Sequence, residues 1–107
     1  MISDETINRI LRFSKDRDWD QFHSPENLAK SIAIEAGELL ECFQWNGASF
    51  KQKDVEEELA DVMNYCIQMA DKLHVDLDAI LNAKLDVNER KYPVERAKGS
   101  SKKYTEL

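Results

Sequence analysis

An all-α fold is what this chain predicts: a four-helix bundle-like domain assembling into a homo-oligomer. Three observations lead there. Apolar residues recur at helical spacing over four separate stretches. Only three glycines and two prolines occur in 107 residues, too few for the many tight turns of an all-β protein. The segments between the stretches are short, as in packed helix bundles. The length fits one domain with a modest core, and a chain this small can bury its remaining apolar faces against copies of itself.

Each element has its own signal. The first helix is expected from Ser3 or Asp4 to Lys15, with Ile7, Ile10, Leu11 and Phe13 as its apolar stripe. Arg17-Asp18-Trp19-Asp20-Gln21-Phe22-His23 breaks that period and reads as a connection. Ser24 followed by Pro25 is a helix start, a capping hydroxyl before a proline in the first turn. The second helix is expected to run to about Trp45, where Asn46-Gly47 ends it. The third begins between Ser49 and Val55 and continues to Leu73. Asp76 can cap the fourth, which runs through Leu77, Leu81, Leu85 and Asn88 to Tyr92 before Pro93 stops it. Residues 1–93 are thus read as the domain and 94–107 as a polar tail.

Composition excludes several functions. A net charge of −6 disfavours nucleic acid, whose phosphate backbone requires a basic face. No apolar stretch approaches a membrane span, and Met1-Ile2-Ser3-Asp4-Glu5 has no signal pattern, so no membrane partner and a cytoplasmic location are expected. Cys42 and Cys66 sit in apolar helical patterns and read as reduced thiols. An acidic chain can still bind a polyphosphate if divalent cations carry the anion to clustered carboxylates.

The informative residues are polar ones placed where the helical period calls for apolar ones. Leu28, Ile32, Ala36, Leu39 and Phe43 define the buried stripe of the second helix. Glu35 falls inside it and Glu38 at its edge, while Glu41 points away. On the third helix, Val55, Leu59, Met63, Cys66, Ala70 and Leu73 form the stripe, with Glu58, Asp61 and Tyr65 along one flank and Glu57 elsewhere. Each acidic pair is three residues apart and stacks on one face. An antiparallel packing of these helices would converge four carboxylates with few cations nearby, Lys30 being the only lysine on the second helix. Burying unpaired carboxylates is costly, and the remedy is a hard divalent cation. Oxygen-only ligands select Mg²⁺, with Mn²⁺ as a substitute, over zinc. On the fourth helix, Lys84 and Asn88 also fall within the apolar stripe. The lysine can snorkel or offset charge and contact a phosphate; the asparagine can hydrogen-bond a sugar or base.

Ile34-Glu35-Ala36-Gly37-Glu38-Leu39 followed by Glu57-Glu58-Leu59-Ala60-Asp61-Val62 resembles the E-x-x-E and E-x-x-D signature of MazG-like nucleoside triphosphate pyrophosphohydrolases. The likeness extends to the branch containing the dCTP pyrophosphatases. It is carried by Arg17-Asp18-Trp19-Asp20-Gln21-Phe22-His23, Phe43-Gln44-Trp45, Lys84-Leu85-Asp86-Val87-Asn88 and Arg90-Lys91-Tyr92-Pro93-Val94, and by Gly99-Ser100-Ser101-Lys102-Lys103-Tyr104-Thr105. The resemblance implies that Glu35, Glu38, Glu58 and Asp61 bind magnesium and that Trp19 and Trp45 sandwich a base, with Tyr65, Lys84 and Asn88 completing the nucleotide pocket. It implies cleavage of a nucleoside triphosphate, dCTP or a modified dCTP, to monophosphate and pyrophosphate, in a nucleotide-cleanup role. It also implies a homo-oligomer, commonly a tetramer of paired dimers. Glu38 is the candidate to orient or deprotonate the attacking water. Ile10 departs from the branch, whose mammalian-type members carry histidine there. His23 matches, but as a connection residue it is left out of the catalytic set. Two rival readings are a non-catalytic helical module with solvated acidic rows, and a di-iron bundle; the latter uses Glu-x-x-His pairs, which are absent here.

Overall fold

The computed structural model describes residues 2–107; Met1, part of the N-terminal stretch read above, lies outside them. The elements are α1 (Asp4–Asp16), a 3-10 turn (Asp20–Phe22), α2 (Pro25–Glu41), α3 (Gln52–Leu73), α4 (Leu77–Lys91), the short α5 (Val94–Ala97) and a last 3-10 turn (Tyr104–Glu106). No strand occurs among the described residues, so the all-α expectation holds. They divide into two compact units, one ending at His74 and the other spanning Val75–Leu107.

Local chemistry explains the boundaries of the first unit. Ser3 Oγ accepts from the Thr6 amide at 3.2 Å and starts α1. That helix ends in a Schellman closure: the Asp18 amide donates to the Lys15 carbonyl at 3.0 Å and the Trp19 amide to the Ser14 carbonyl at 2.9 Å. The closure needs a left-handed residue, and Asp18 supplies it with φ 55°. The Trp19 ring packs edge-on against Phe13, centroids 5.7 Å apart, the apolar contact that accompanies this motif. Gln21 Nε2 then bonds back to Asp18, and Asn27 Nδ2 donates to the Phe22 carbonyl at 3.0 Å. The connection 17–23 is therefore tightly tied. Ser24 caps α2 through the Asn27 amide at 3.2 Å, with Pro25 opening the helix.

The second helix stops at Glu41, four residues before the expected end at Trp45. The amides of Cys42, Phe43 and Gln44 bond carbonyls three residues back rather than four, which tightens the chain out of the α-helix. Phe43 then packs against Phe50 with centroids 5.0 Å apart. At the far end of α3, His74 adopts a left-handed conformation and its amide closes on the Ala70 and Asp71 carbonyls.

Within this unit α3 packs chiefly against α2 and, more narrowly, against α1. The order of neighbours makes α2 and α3 antiparallel. Tyr65, late on α3, meets His23 at the entry to α2; Glu58 faces Glu38 in mid-helix; and Asp54, at the start of α3, acts on Cys42 at the end of α2. The buried apolar residues are Leu28, Ile67 and Ala70. The expected stripe is thus only partly right: Ala36, Leu59, Met63 and Leu73 are exposed. Because α3 has neighbours on two sides, Glu58 and Tyr65 turn toward α2 and Gln68 toward α1, which leaves Leu59, half exposed at 50%, uncovered.

In the second unit, Asp76 caps α4 through the Asp78 and Ala79 amides. Pro93 separates α4 from α5, and Gly99, at φ 75°, turns the chain again. Residues 94–107, read as a polar tail, carry α5 and the last 3-10 turn. Tyr104 sits against Tyr92, centroids 6.1 Å apart, with Lys91 Nζ 4.6 Å from its ring centre.

Candidate active site

Antiparallel packing brings the acidic residues of α2 and α3 together in mid-helix. Glu35, Glu38 and Glu58 each offer a carboxylate oxygen, and the three oxygens lie within 4.8 Å of one another. Glu35 and Glu58 are half-buried and Glu38 is exposed. Asp61 lies outside that tight trio, yet its charge bears on both Glu35 and Glu58. Glu41 and Glu57, expected to point elsewhere, are exposed and belong to no such group.

No cation balances this group among the described residues. The one ion pair there joins Lys30 to Glu26 at 3.6 Å, an exposed i,i+4 pair. Repulsion and burial therefore fall on the carboxylates themselves. A hydrogen bond shared with Glu38, which requires a proton, raises the Glu35 carboxyl to about 7, with burial and the charges of Glu38, Asp61 and Glu58 adding to the effect. Burial raises Glu58, followed by a proton-sharing contact with Glu38 and the charges of Glu38 and Asp61. Cys42, whose Sγ contacts the Glu38 carbonyl at 3.6 Å, is pushed up by burial and by the Glu58 charge. Both cysteines are free.

The donor set fits a divalent cation on a further observation. Glu35 Oε2 and Glu58 Oε2 are sealed from solvent without a hydrogen-bond partner. A buried acceptor left unpaired costs about 1–3 kcal/mol, and a hard cation would satisfy both oxygens while offsetting their repulsion.

The other expected residues are more dispersed. Tyr65 lies one turn beyond Asp61 on α3, half-buried. Trp19 is held against Phe13. Trp45 stands 85% exposed in the turn after α2, a free aromatic face. Lys84 is exposed and Asn88 half-buried on α4, in the second unit. Two features have a place that the sequence reading did not give them. His23, set aside above as a connection residue, is half-buried: its Nδ1 is sealed without a partner, and its ring meets Tyr65 edge-on at 6.2 Å. Periodicity could not find it because it lies outside any helix. Ser14 and Gln68, both buried, bond to each other at 3.0 Å between α1 and α3; their polarity at inward helical positions was the available signal.

The chain is similar to several known proteins. A family model described as MazG-like matches residues 30–107. The dCTP pyrophosphatase 1 of Homo sapiens is 42% identical over 96% of this chain and 66% of its own length. That of Bos taurus is 38% identical over 96% of this chain and 67% of its length. This chain thus spans about two thirds of the curated relatives it matches. Among solved structures, a pyrophosphatase from Archaeoglobus fulgidus superposes with a TM-score of 0.78 at 37% identity, covering 84% of this chain and 91% of its own. With its paired acidic helices and a family match over most of its length, the chain belongs to the MazG-like family.

Proposed function

We propose that this protein is a nucleoside triphosphate diphosphatase, cleaving a deoxynucleoside triphosphate, dCTP or a modified dCTP, to monophosphate and pyrophosphate. The observation that carries the reading is the pair of sealed, unpartnered oxygens on Glu35 and Glu58, facing an acidic group with no cation of its own. The names of the similar proteins, dCTP pyrophosphatase 1 and a pyrophosphatase, support the choice of reaction.

In this reading Glu35, Glu38, Glu58 and Asp61 hold Mg²⁺, with Mn²⁺ as a substitute. Once bound, the cation would neutralise charge developing on the triphosphate. Glu38, exposed beside the half-buried Glu35, accepts the proton of the attacking water as its oxygen adds to phosphorus and the α–β bridging bond breaks. Trp45 and Trp19 offer aromatic faces for the base, which bind strongly and discriminate weakly. Tyr65, Lys84 and Asn88 contact the remainder of the nucleotide. Residues 1–93 form the catalytic domain and 94–107 an appendage to it.

Assembly into a homo-oligomer, a tetramer of paired dimers, belongs to the same proposal. Among the described residues only three apolar ones are buried, whereas Ile34, Leu40, Leu59, Leu81, Leu85 and Val94 are exposed, apolar surface that copies of the chain could cover. No helix among the described residues is long and apolar enough to cross a membrane; a cytoplasmic setting and nucleotide-pool cleanup belong to the same proposal. The test is a panel of canonical and modified nucleoside triphosphates with Mg²⁺, scored for pyrophosphate against orthophosphate. Pyrophosphate release is expected; orthophosphate alone, or no turnover across the panel, would remove the proposal.

A further inference from the structure

Ser14 makes two connections at once. Its carbonyl receives the Trp19 amide at 2.9 Å, the long bond of the Schellman closure that ends α1. Its hydroxyl donates to Gln68 Oε1 on α3 at 3.0 Å, and Gln68 Nε2 donates on to Asn64 Oδ1 at 2.7 Å. Ser14 is only 2% exposed and Gln68 only 7%. One buried residue therefore ties the backbone of Trp19 to the helix that carries Glu58 and Asp61.

The link is stiff for physical reasons. The closure through the left-handed Asp18 fixes the Trp19 amide on the end of α1, and the indole packs edge-on against Phe13. A buried serine–glutamine pair cannot slide without leaving a polar atom unpaired, which costs about 1–3 kcal/mol, whereas an apolar contact at the same place would tolerate a shift. Asn64 completes the chain by occupying the Gln68 amide and fixing which way it faces. Neither capping nor burial alone requires a hydroxyl at this position, because the carbonyl bond to Trp19 is available to any residue. The hydroxyl serves only the connection to α3.

We infer that Ser14 is a positioning residue for nucleotide binding, acting through Trp19: its hydroxyl holds the Trp19 loop at a set place on α3. The inference rests on the proposed role of Trp19 in holding the base, and it deepens that reading by naming what aims the indole.

The experiment is a double-mutant cycle on Ser14→Ala and Trp19→Ala, read by steady-state kinetics with dCTP and Mg²⁺. Ser14→Ala is expected to raise KM about three- to tenfold, the effect of one lost buried hydrogen bond, and to leave kcat within about twofold. In the Trp19→Ala background the same change should move KM by less than about 1.5-fold, since the residue it acts through is gone. Ser14→Thr, which keeps the hydroxyl, should restore KM. An equal KM increase in both backgrounds, or no increase in either, overturns the inference. Should Ser14→Ala unfold, the pair Ser14→Ala with Gln68→Leu removes both partners of that bond and regains stability, because the Asn64 amide left without its donor is only half-buried and can turn to water. A KM that stays raised in that pair supports the inference, and a KM that recovers along with the melting temperature overturns it. A turnover-free readout separates this result from the fate of the hydrolase assignment. With two tryptophans in the chain, a Trp45→Phe background isolates Trp19, whose acrylamide quenching should rise when Ser14→Ala is added. Unchanged quenching overturns the inference even in a fully active enzyme, whereas an inactive wild type with the expected quenching defeats the hydrolase reading alone.

Discussion

Replacing Glu35 by Gln should make the metal-free protein more stable at alkaline pH. In the folded chain the Glu35 carboxyl is raised from its ordinary 4.5 to about 7, first by the proton shared with Glu38, then by burial and neighbouring carboxylates. The folded state thus holds a proton that the unfolded state releases between those two values. The stability this proton confers is complete below about pH 4.5 and disappears as the pH rises through about 7. Glu58 is raised as well, so its contribution has the same sign. At face value the Glu35 displacement is worth about 3 kcal/mol; because Glu38 and Asp61 face solvent, screening reduces it to on the order of 1–2 kcal/mol. Glu35→Gln keeps the shape and removes the charge. Thermal melts in EDTA should place the variant roughly 5–10 °C above wild type at about pH 8, with little difference at about pH 5. Added Mg²⁺ should reverse the order, since the wild-type cage gains a ligand-linked stabilisation that the variant has lost. A variant less stable than wild type in EDTA at about pH 8, or wild-type stability that does not change with pH, would refute the reasoning.

Other perturbations have equally definite outcomes. Glu58→Gln should lower kcat by a factor of about 100 or more with helical content kept, because a carboxylate is lost where charge must be offset; circular dichroism and pyrophosphate release measure the two together. Trp45→Ala should raise KM about tenfold or more, in line with the stacking energy of one base, with kcat within about twofold; an unchanged KM for every nucleotide removes its stacking role. His74→Gly should stabilise the protein by about 1 kcal/mol, since His74 closes α3 at φ 55°, where a side chain is strained and glycine is not; a lower melting temperature would contradict this.

The helices were legible because their boundaries are set by local chemistry. Ser24 with Pro25, Asp76, and Pro93 each act within a turn of their own position, and the structure starts or stops helices there. Glu35 and Glu58 were legible as inward-facing carboxylates because a charge at an apolar helical position is visible in one dimension. The end of α2 was not, since the shift to tighter hydrogen bonding after Glu41 accompanies the packing of Phe43 on Phe50, a contact made by the folding of the connection and not by helical spacing. The exposed side of α3 was misread for a related reason. A helix with two neighbours has two partly covered faces, and a single apolar stripe through Leu59 and Met63 does not describe it. His23 and Ser14 take partners 42 and 54 positions away, Tyr65 and Gln68; periodicity can mark Ser14 as a polar residue facing inward, but it does not name its partner, and it is silent on His23.

The claim on which the rest depends is that the carboxylates of α2 and α3 hold a divalent cation in common. Titrating Mn²⁺ into the protein and following the electron paramagnetic resonance signal of the free aqueous ion measures this without substrate. Wild type should remove the signal saturably until its sites are filled, and Glu35→Gln and Glu58→Gln should each leave most of the ion free. A wild-type titration indistinguishable from those of the two variants would contradict it.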